Sequence, residues 1–154
     1  MSCGTCTLIQ RRDRGEAPLW DSIRRSEGWD VVHAYDTSMP GWLVLVTRRH
    51  LESLDELTEA EAVELGSLIS NVSGFLKEET GCAKTYVMQF AEHPEHPHVH
   101  FHVVPRPIDL APEHKGPGIF HYLGVSDEVR VSEPDMDKLG VRLRAWLERT
   151  MPSD

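Results

Sequence analysis

Apolar and polar positions along this chain switch between a period near two and a period near 3.6, and the switches divide it into elements. Residues 29–35 (WDVVHAY) and 42–47 (WLVLVT) are β-rich runs separated by Asp36-Thr37-Ser38-Met39-Pro40-Gly41, a turn by composition, and they predict a hairpin. Thr58 with Glu61 three residues later makes a capping box. Behind it Ala62, Leu65, Leu68, Ile69, Val72, Phe75 and Leu76 form the apolar stripe of a long helix that ends near Gly81. Residues 84–90 (KTYVMQF) read as a third core strand. After a loop from Ala91 to Pro97, His98-Val99-His100-Phe101-His102-Val103-Val104 alternates strictly, and Pro105 and Pro107 should end that strand. Residues 107–133 hold Pro, Gly and charge with little periodicity. Met136, Leu139, Leu143, Trp146 and Leu147 then mark a C-terminal amphipathic helix. The pattern is α+β: an antiparallel sheet packed with one long helix, plus a C-terminal helix.

Composition narrows the class without changing this outline. The chain has 154 residues, one ordinary domain's worth, and residues 1–154 are read as a single domain. A net charge of -9 argues against general affinity for nucleic acid or anionic lipid, both of which need a basic surface. No apolar run approaches the roughly 18 residues of a membrane span, and Cys3 to Arg14 is polar and basic where a signal peptide would be apolar. These features place the protein in the cytoplasm. Three cysteines, two of them in Cys3-Gly4-Thr5-Cys6, are too few for a disulfide framework and suit a reducing compartment.

The candidate chemistry lies in the alternating strand. Five of the nine histidines fall between His93 and His102. In a strand, His98, His100 and His102 share one face while Val99, Phe101 and Val103 share the other, which must lie on the helix. Imidazole binds metals as the neutral ring, titrates near neutrality and can attack phosphorus or carbon, so a face built of it suits an active-site floor better than a core. Cys3 and Cys6 have the x2 spacing of half a zinc site, and two further ligands must come from elsewhere. Cys82, just ahead of a strand, reads as a small buried apolar residue.

The run His98-Val99-His100-Phe101-His102-Val103-Val104 resembles the signature of the histidine triad (HIT) superfamily: His, apolar, His, apolar, His, two apolars. Pro40-Gly41-Trp42-Leu43-Val44-Leu45-Val46-Thr47-Arg48-Arg49-His50 is similar to that family's Pro-Gly-His-x-Leu-Val-x-Pro-x-x-His strand, and the long helix sits where the family has one. The resemblance covers most of residues 1–107 and leaves 108–154 as a variable C-terminal extension. It implies the HIT-like fold, a homodimer, and hydrolysis or transfer of a nucleoside monophosphate derivative, of dinucleoside polyphosphate or phosphoramidate type. The reaction would run through a covalent nucleotidyl-histidine. His100 takes the role of the family's nucleophile, and His102 attends the phosphate and leaving group. Some zinc-containing bacterial members resemble this chain in pairing an N-terminal Cys-x-x-Cys with two histidines, which implies one structural zinc on Cys3, Cys6, His50 and His98. A catalytically weak or silent nucleotide-binding module is the rival reading, and a metal-storage or sensor protein using His93, His96 and the triad a third.

Several positions depart from the family pattern. Trp42 stands where the family has histidine after Pro-Gly, either as plain core or as part of the triad's surroundings. His93-Pro94-Glu95-His96-Pro97 replaces the Gly-Gln-Ser/Thr stretch whose amides contact phosphate, so His93 and His96 are candidate substitutes. Gln89 resembles a phosphate-contacting Gln of the fragile-histidine-triad branch. Asp36 and Ala34 are the nearest equivalents of the ribose-binding position, and Arg106 could reach a phosphate from the end of the triad strand. Of Arg48 and Arg49, which alternate in direction, one is expected to be merely solvated.

Overall fold

The computed structural model describes residues 2–153. Three α-helices, α1 (Gly4–Asp13), α2 (Glu59–Thr80) and α3 (Glu133–Thr150), accompany five strands. The strands are β1 (Arg24–Arg25), β2 (Trp29–His33), β3 (Leu43–Thr47), β4 (Lys84–Met88) and β5 (His100–Arg106). They form one antiparallel sheet in the order β1-β2-β3-β5-β4. The predicted hairpin is β2–β3, with Val31 opposite Leu45. The capping box at Thr58 and Glu61 opens α2, and Gly81 closes it in the left-handed region.

The period-two pattern sorts side chains onto two faces. Trp29, Val31, Leu43, Leu45, Phe101 and Val103 pack against Leu68, Val72, Phe75 and Leu76 of α2 and Leu139, Leu143 and Leu147 of α3. Burying each such side chain contributes about 1.5–3 kcal/mol. The opposite face carries Val32, Trp42, Val44, Val46 and Val104, and Ile9, Leu110 and Ile119 cover part of it. The late segment that lacked periodicity thus has a packing role. It forms short 3-10 turns, Pro112–His114 and Gly116–Tyr122, laid on the sheet. Thr37 pins them, its hydroxyl donating to the Tyr122 carbonyl (2.8 Å).

Several boundaries differ from the sequence pattern, β2 ending at His33 and β3 beginning at Leu43 among them. The triad strand enters the ladder at His100 rather than His98, because the Val99 amide donates to the Leu51 carbonyl (2.7 Å) instead of a strand neighbour. It also runs through Pro105 to Arg106. The missing proline amide is harmless there, since the ladder with β3 goes no further than the Leu43–Val103 pair and only β4 continues alongside. β4 in turn stops at Met88, leaving Gln89 and Phe90 outside the sheet. Two labelled elements have no counterpart in the pattern: the two-residue β1, and α1, whose buried face is Thr5, Ile9 and Arg12. A buried arginine hides an amphipathic stripe. Arg12 lies against Asp21 (2.9 Å) and Asp30 (3.2 Å), both nearly inaccessible, so α1 is ion-paired to the sheet edge.

Two residues clip the β2–β3 turn. His33, on the core face, donates from Nδ1 to the Ala34 carbonyl (2.8 Å) and accepts the Gly41 amide at Nε2 (3.0 Å). Gly41 has φ of +90°, and a Cβ there would meet Leu76 Cδ2 at 3.0 Å, so both conformation and space demand glycine. Burial pushes the His33 imidazole down to about 4. The unfolded chain, titrating near 6.5, then binds the extra proton first, so stability is complete above that pH and falls as the pH drops toward 4. The loss is on the order of 3 kcal/mol for this group. Urea unfolding of the parent and of His33→Gln at pH 7.5, 5.5 and 4.5 checks this: the variant should lose less stability on acidification. Equal losses in the two proteins would refute it, because every other titrating group is common to both.

Candidate active site

β5 is the fourth strand of five in the sheet order, and its register sets His100 opposite Val46, and His102 between Val44 and Met88. Apolar neighbours leave the two imidazoles as the polar groups in the middle of this face. Each of the three triad rings is held by a different partner. His98 lies in the bend before β5, fully buried, and its Nε2–H donates to the Thr47 carbonyl (2.7 Å). A carbonyl only accepts, so Nδ1 of the neutral ring is bare. His100, half-buried, donates from Nδ1 to the His98 carbonyl (2.7 Å), which leaves its Nε2 as the free lone pair. His102 receives the Trp42 indole N–H on Nδ1 (3.0 Å). Its ring is boxed edge-on by Trp42, His100 and Phe120, with centroids 5.1–5.7 Å away. Burial, and secondarily the neighbouring His100, pushes His102 down to about 4.

Four side chains converge beside this strand. Cys3 Sγ lies 3.7 Å and Cys6 Sγ 3.6 Å from His98 Nδ1, while His50 Nδ1 lies 3.3 Å from both Cys6 Sγ and His98 Nδ1. All four donor atoms fall within 4.8 Å of one another. A zinc tetrahedron with bonds of about 2.3 Å to sulfur and 2.0–2.1 Å to nitrogen needs sulfur–nitrogen edges of roughly 3.5 Å and nitrogen–nitrogen edges of roughly 3.3 Å. The donor set and its edges fit zinc. Both imidazoles also turn their second nitrogen to an acceptor, His98 to Thr47 and His50 Nε2–H to Glu52 (3.3 Å), as ligating histidines do. Cys3 caps α1, its Sγ accepting the Cys6 amide (3.4 Å), so the Cys-x-x-Cys spacing is that of a helix N-cap and its third residue. Without a cation, burial and then Cys3 push the Cys6 thiol up to about 11. That thiol is poorly disposed to ionise unless a metal takes the charge.

The remaining candidates are placed unevenly. Gln89, just past β4, has a buried Oε1 with no partner, an orphan acceptor of the kind a ligand satisfies. Asp36 is half-buried at the start of the β2–β3 turn. His93 and His96 close a small hairpin onto α1: the Gly4 amide donates to the Glu95 carbonyl (2.8 Å), and Thr5 Oγ1 bonds His96 Nδ1 (2.9 Å). His93 Nδ1 accepts the Glu95 amide (3.2 Å) and is otherwise exposed. Burial, ahead of His93 and His100, holds His96 below its ordinary value, which weakens it as a cation. Arg106 is not brought to the triad; its guanidinium donates to the carbonyls of Pro107 (2.9 Å) and Ile108 (3.3 Å). Arg49 is the solvent-exposed member of the Arg48–Arg49 pair, as expected, but it is ion-paired as well as solvated. Arg48 bonds the Ser26 carbonyl and Asp13, and Arg49 forks onto Glu61 of the capping box, holding that carboxyl down at about 2. Cys82 is buried in the α2-side core, as its flanks suggested. Trp42 combines both of its readings, fully buried and bonded to the triad. Phe120 was missed, since nothing in an aperiodic segment marks one aromatic as the neighbour of His102. A cleft of about 430 Å³ among Met39, Thr80, Cys82, Pro105 and Ile108 holds none of the nine histidines.

Fold and site together define a class: an α+β protein whose antiparallel sheet carries alternating histidines on an interior strand, with a Cys2His2 cluster at that strand's head. The HIT domain family model matches residues 23–108, more than half of the chain, and the chain belongs to that family. Cys3 and Cys6 lie outside the matched stretch. Among solved structures, a zinc-bound histidine triad family protein from Mycobacterium smegmatis is similar with a TM-score of 0.65 at 19% identity, covering 97% of this chain and 95% of that one. A hypothetical histidine triad nucleotide-binding protein from Sulfolobus tokodaii gives 0.68 at 15%, covering 96% and 97%. A histidine triad protein from Bradyrhizobium japonicum gives 0.66 at 24%, covering 80% and 87%. A sequence search among curated proteins returned no match. Among the described residues, no helix is long and apolar enough to cross a membrane.

Proposed function

We propose that this chain hydrolyses or transfers a nucleoside monophosphate from a small nucleotide conjugate, with His100 as the nucleophile. The observation that carries this reading is the bare Nε2 of His100, fixed by the Nδ1–H bond to the His98 carbonyl. The Nε2 lone pair attacks the α-phosphorus, a nitrogen–phosphorus bond forms, and the bond from phosphorus to the leaving group breaks. The leaving oxygen or nitrogen carries off the bonding pair and takes a proton from solvent. Water or a second acceptor then attacks the same phosphorus, returns the electron pair to Nε2 and frees the nucleotide. His102 lies beside the reacting phosphate, and Gln89 and Asp36 serve phosphate and ribose. His93 and His96 border the same site from the α1 side. Arg106 could join them only by giving up its carbonyl partners.

Cys3, Cys6, His50 and His98 would hold one structural zinc, which supplies the positive charge that a buried and a half-buried thiolate require. Its protein ligands tie α1 and the His98 bend together, and the His98 carbonyl orients His100. The active form is a homodimer acting in the cytoplasm on a small-molecule nucleotide, without nucleic acid or membrane partners. Mixing the protein with a nucleoside phosphoramidate or a dinucleoside polyphosphate should trap a nucleotidyl adduct, located on His100 by rapid quench and peptide mass. A second reading, a binding module with little turnover, is favoured by one observation: the His93–Pro97 hairpin spends the Glu95 carbonyl and His96 Nδ1 on α1. Nucleotide binding with neither adduct nor turnover would establish that reading instead.

A further inference from the structure

We propose that Trp42 is a positioning residue that fixes His102 as an uncharged Nε2–H donor, so that His100 and His102 present opposite hydrogen-bonding states to one substrate. The proposal rests on the reading of His100 as nucleophile and adds to it what the second imidazole does. An indole has one polar group, an N–H, and can only donate. Trp42 Nε1 lies 3.0 Å from His102 Nδ1, so that nitrogen must carry a lone pair and the single proton of the neutral ring must sit on Nε2. Among the described residues Nε2 has no hydrogen-bond partner.

Protonating His102 would set an Nδ1–H against the indole N–H, two donors face to face. The alternative, swinging the indole away, is blocked: Trp42 is fully buried and packs on Phe120 as well as on His102. Among the described residues packed around the imidazole, His100 is an ionisable group and Trp42, Phe120, Val44 and Met88 are not. The depressed basicity of His102 has the same sign as this geometric argument. A histidine in Trp42's place could accept as well as donate and would leave both tautomers of His102 open. With tryptophan the pair is set before substrate arrives: a lone pair on His100 Nε2 to attack phosphorus, and an N–H on His102 Nε2 to meet a phosphoryl or leaving-group oxygen. Preorganised donors of this kind act without reorganising during the reaction. His102 then binds charge and does not shuttle protons.

The test uses the full-length protein with ¹⁵N-labelled histidine. Two-bond nitrogen–proton correlations should show His102 Nδ1 as an unprotonated acceptor and Nε2 as protonated, unchanged from pH 8 to pH 5. The Nδ1–H tautomer, or titration of His102 near its ordinary value, would overturn the proposal whether or not the protein turns over nucleotides. In kinetics, His102→Gln keeps an uncharged N–H near the Nε2 position and should retain turnover within about tenfold, whereas His102→Ala should lose about 10²–10³-fold in kcat. Equal losses in the two variants would mean that the titrating ring itself is needed, against the proposal. Trp42→Phe should release the tautomer in the same spectra and lower kcat about 10–100-fold, the range for losing a group that orients another, with KM little changed. A Trp42→Phe spectrum identical to the parent's would count against it; should that variant fail to fold, the parent spectrum and the His102 pair still decide. Failure of the His100 reading shows separately, as absence of the His100 adduct.

Discussion

His100→Ala is expected to lower turnover about 10⁴–10⁶-fold and to abolish the nucleotidyl adduct, while leaving the fold intact. Removing a covalent nucleophile eliminates a step rather than weakening it, and what survives is the rate that positioning and charge stabilisation alone can support. Stability should hardly change, because His100 is half-buried and its one in-chain bond runs to a carbonyl two residues away. That separation makes the variant diagnostic. Single-turnover kinetics with the phosphoramidate, beside a thermal melt, check both halves, and a His100→Ala protein that turns over like its parent would end the enzyme reading. His100→Gly supplied with free imidazole offers a positive control, since a diffusible ring can replace the missing nucleophile only if the cavity and the phosphate site persist.

Disrupting the proposed zinc site should have the largest effect on stability. Cys6→Ser is expected to drop bound zinc from one equivalent per chain to near none and to cost about 4–5 kcal/mol, the scale associated with loss of a structural metal. For a chain of this size that lowers Tm by roughly 10–15 °C. The loss should be local before it is global. α1 is tied to the body through the cluster, through Arg12 with Asp21 and Asp30, and through the Gly4 and Thr5 bonds to the His93–Pro97 hairpin. Hydrogen exchange should therefore rise first in Gly4–Asp13 and in residues 93–97, with β3 and β5 still protected. Chelation of the parent should reproduce that pattern. A parent that binds no zinc, together with a Cys6→Ser variant of equal stability and equal protection, would remove the metal from the account.

Much of this arrangement could be read in the order of the residues, and the reasons are local. The capping box at Thr58, the 3.6-period stripe to Leu76 and the left-handed Gly81 are signals confined to neighbouring residues, so α2 could be placed closely. The alternation from His98 to Val104 likewise had to put His100 and His102 on one face and Phe101 on the core. α1 was hidden because its buried face contains Arg12, whose partners Asp21 and Asp30 lie in other elements. Phe120 was hidden for the same reason, being set beside His102 by a turn that Thr37, far away in the chain, holds in place.

What the sequence by itself determined is a list of groups able to do the chemistry: three alternating imidazoles, a Cys-x-x-Cys and a helix to pack beneath them. Their states were decided by tertiary structure, because the proton on an imidazole is assigned by the partner of its other nitrogen, and none of these partners is an adjacent residue. The Thr47 carbonyl leaves His98 Nδ1 facing Cys3, Cys6 and His50; the His98 carbonyl leaves a bare lone pair on His100 Nε2; the Trp42 indole claims His102 Nδ1. Period-two spacing makes the three histidines equivalent, and only the fold, by giving each a different neighbour, makes them three different groups.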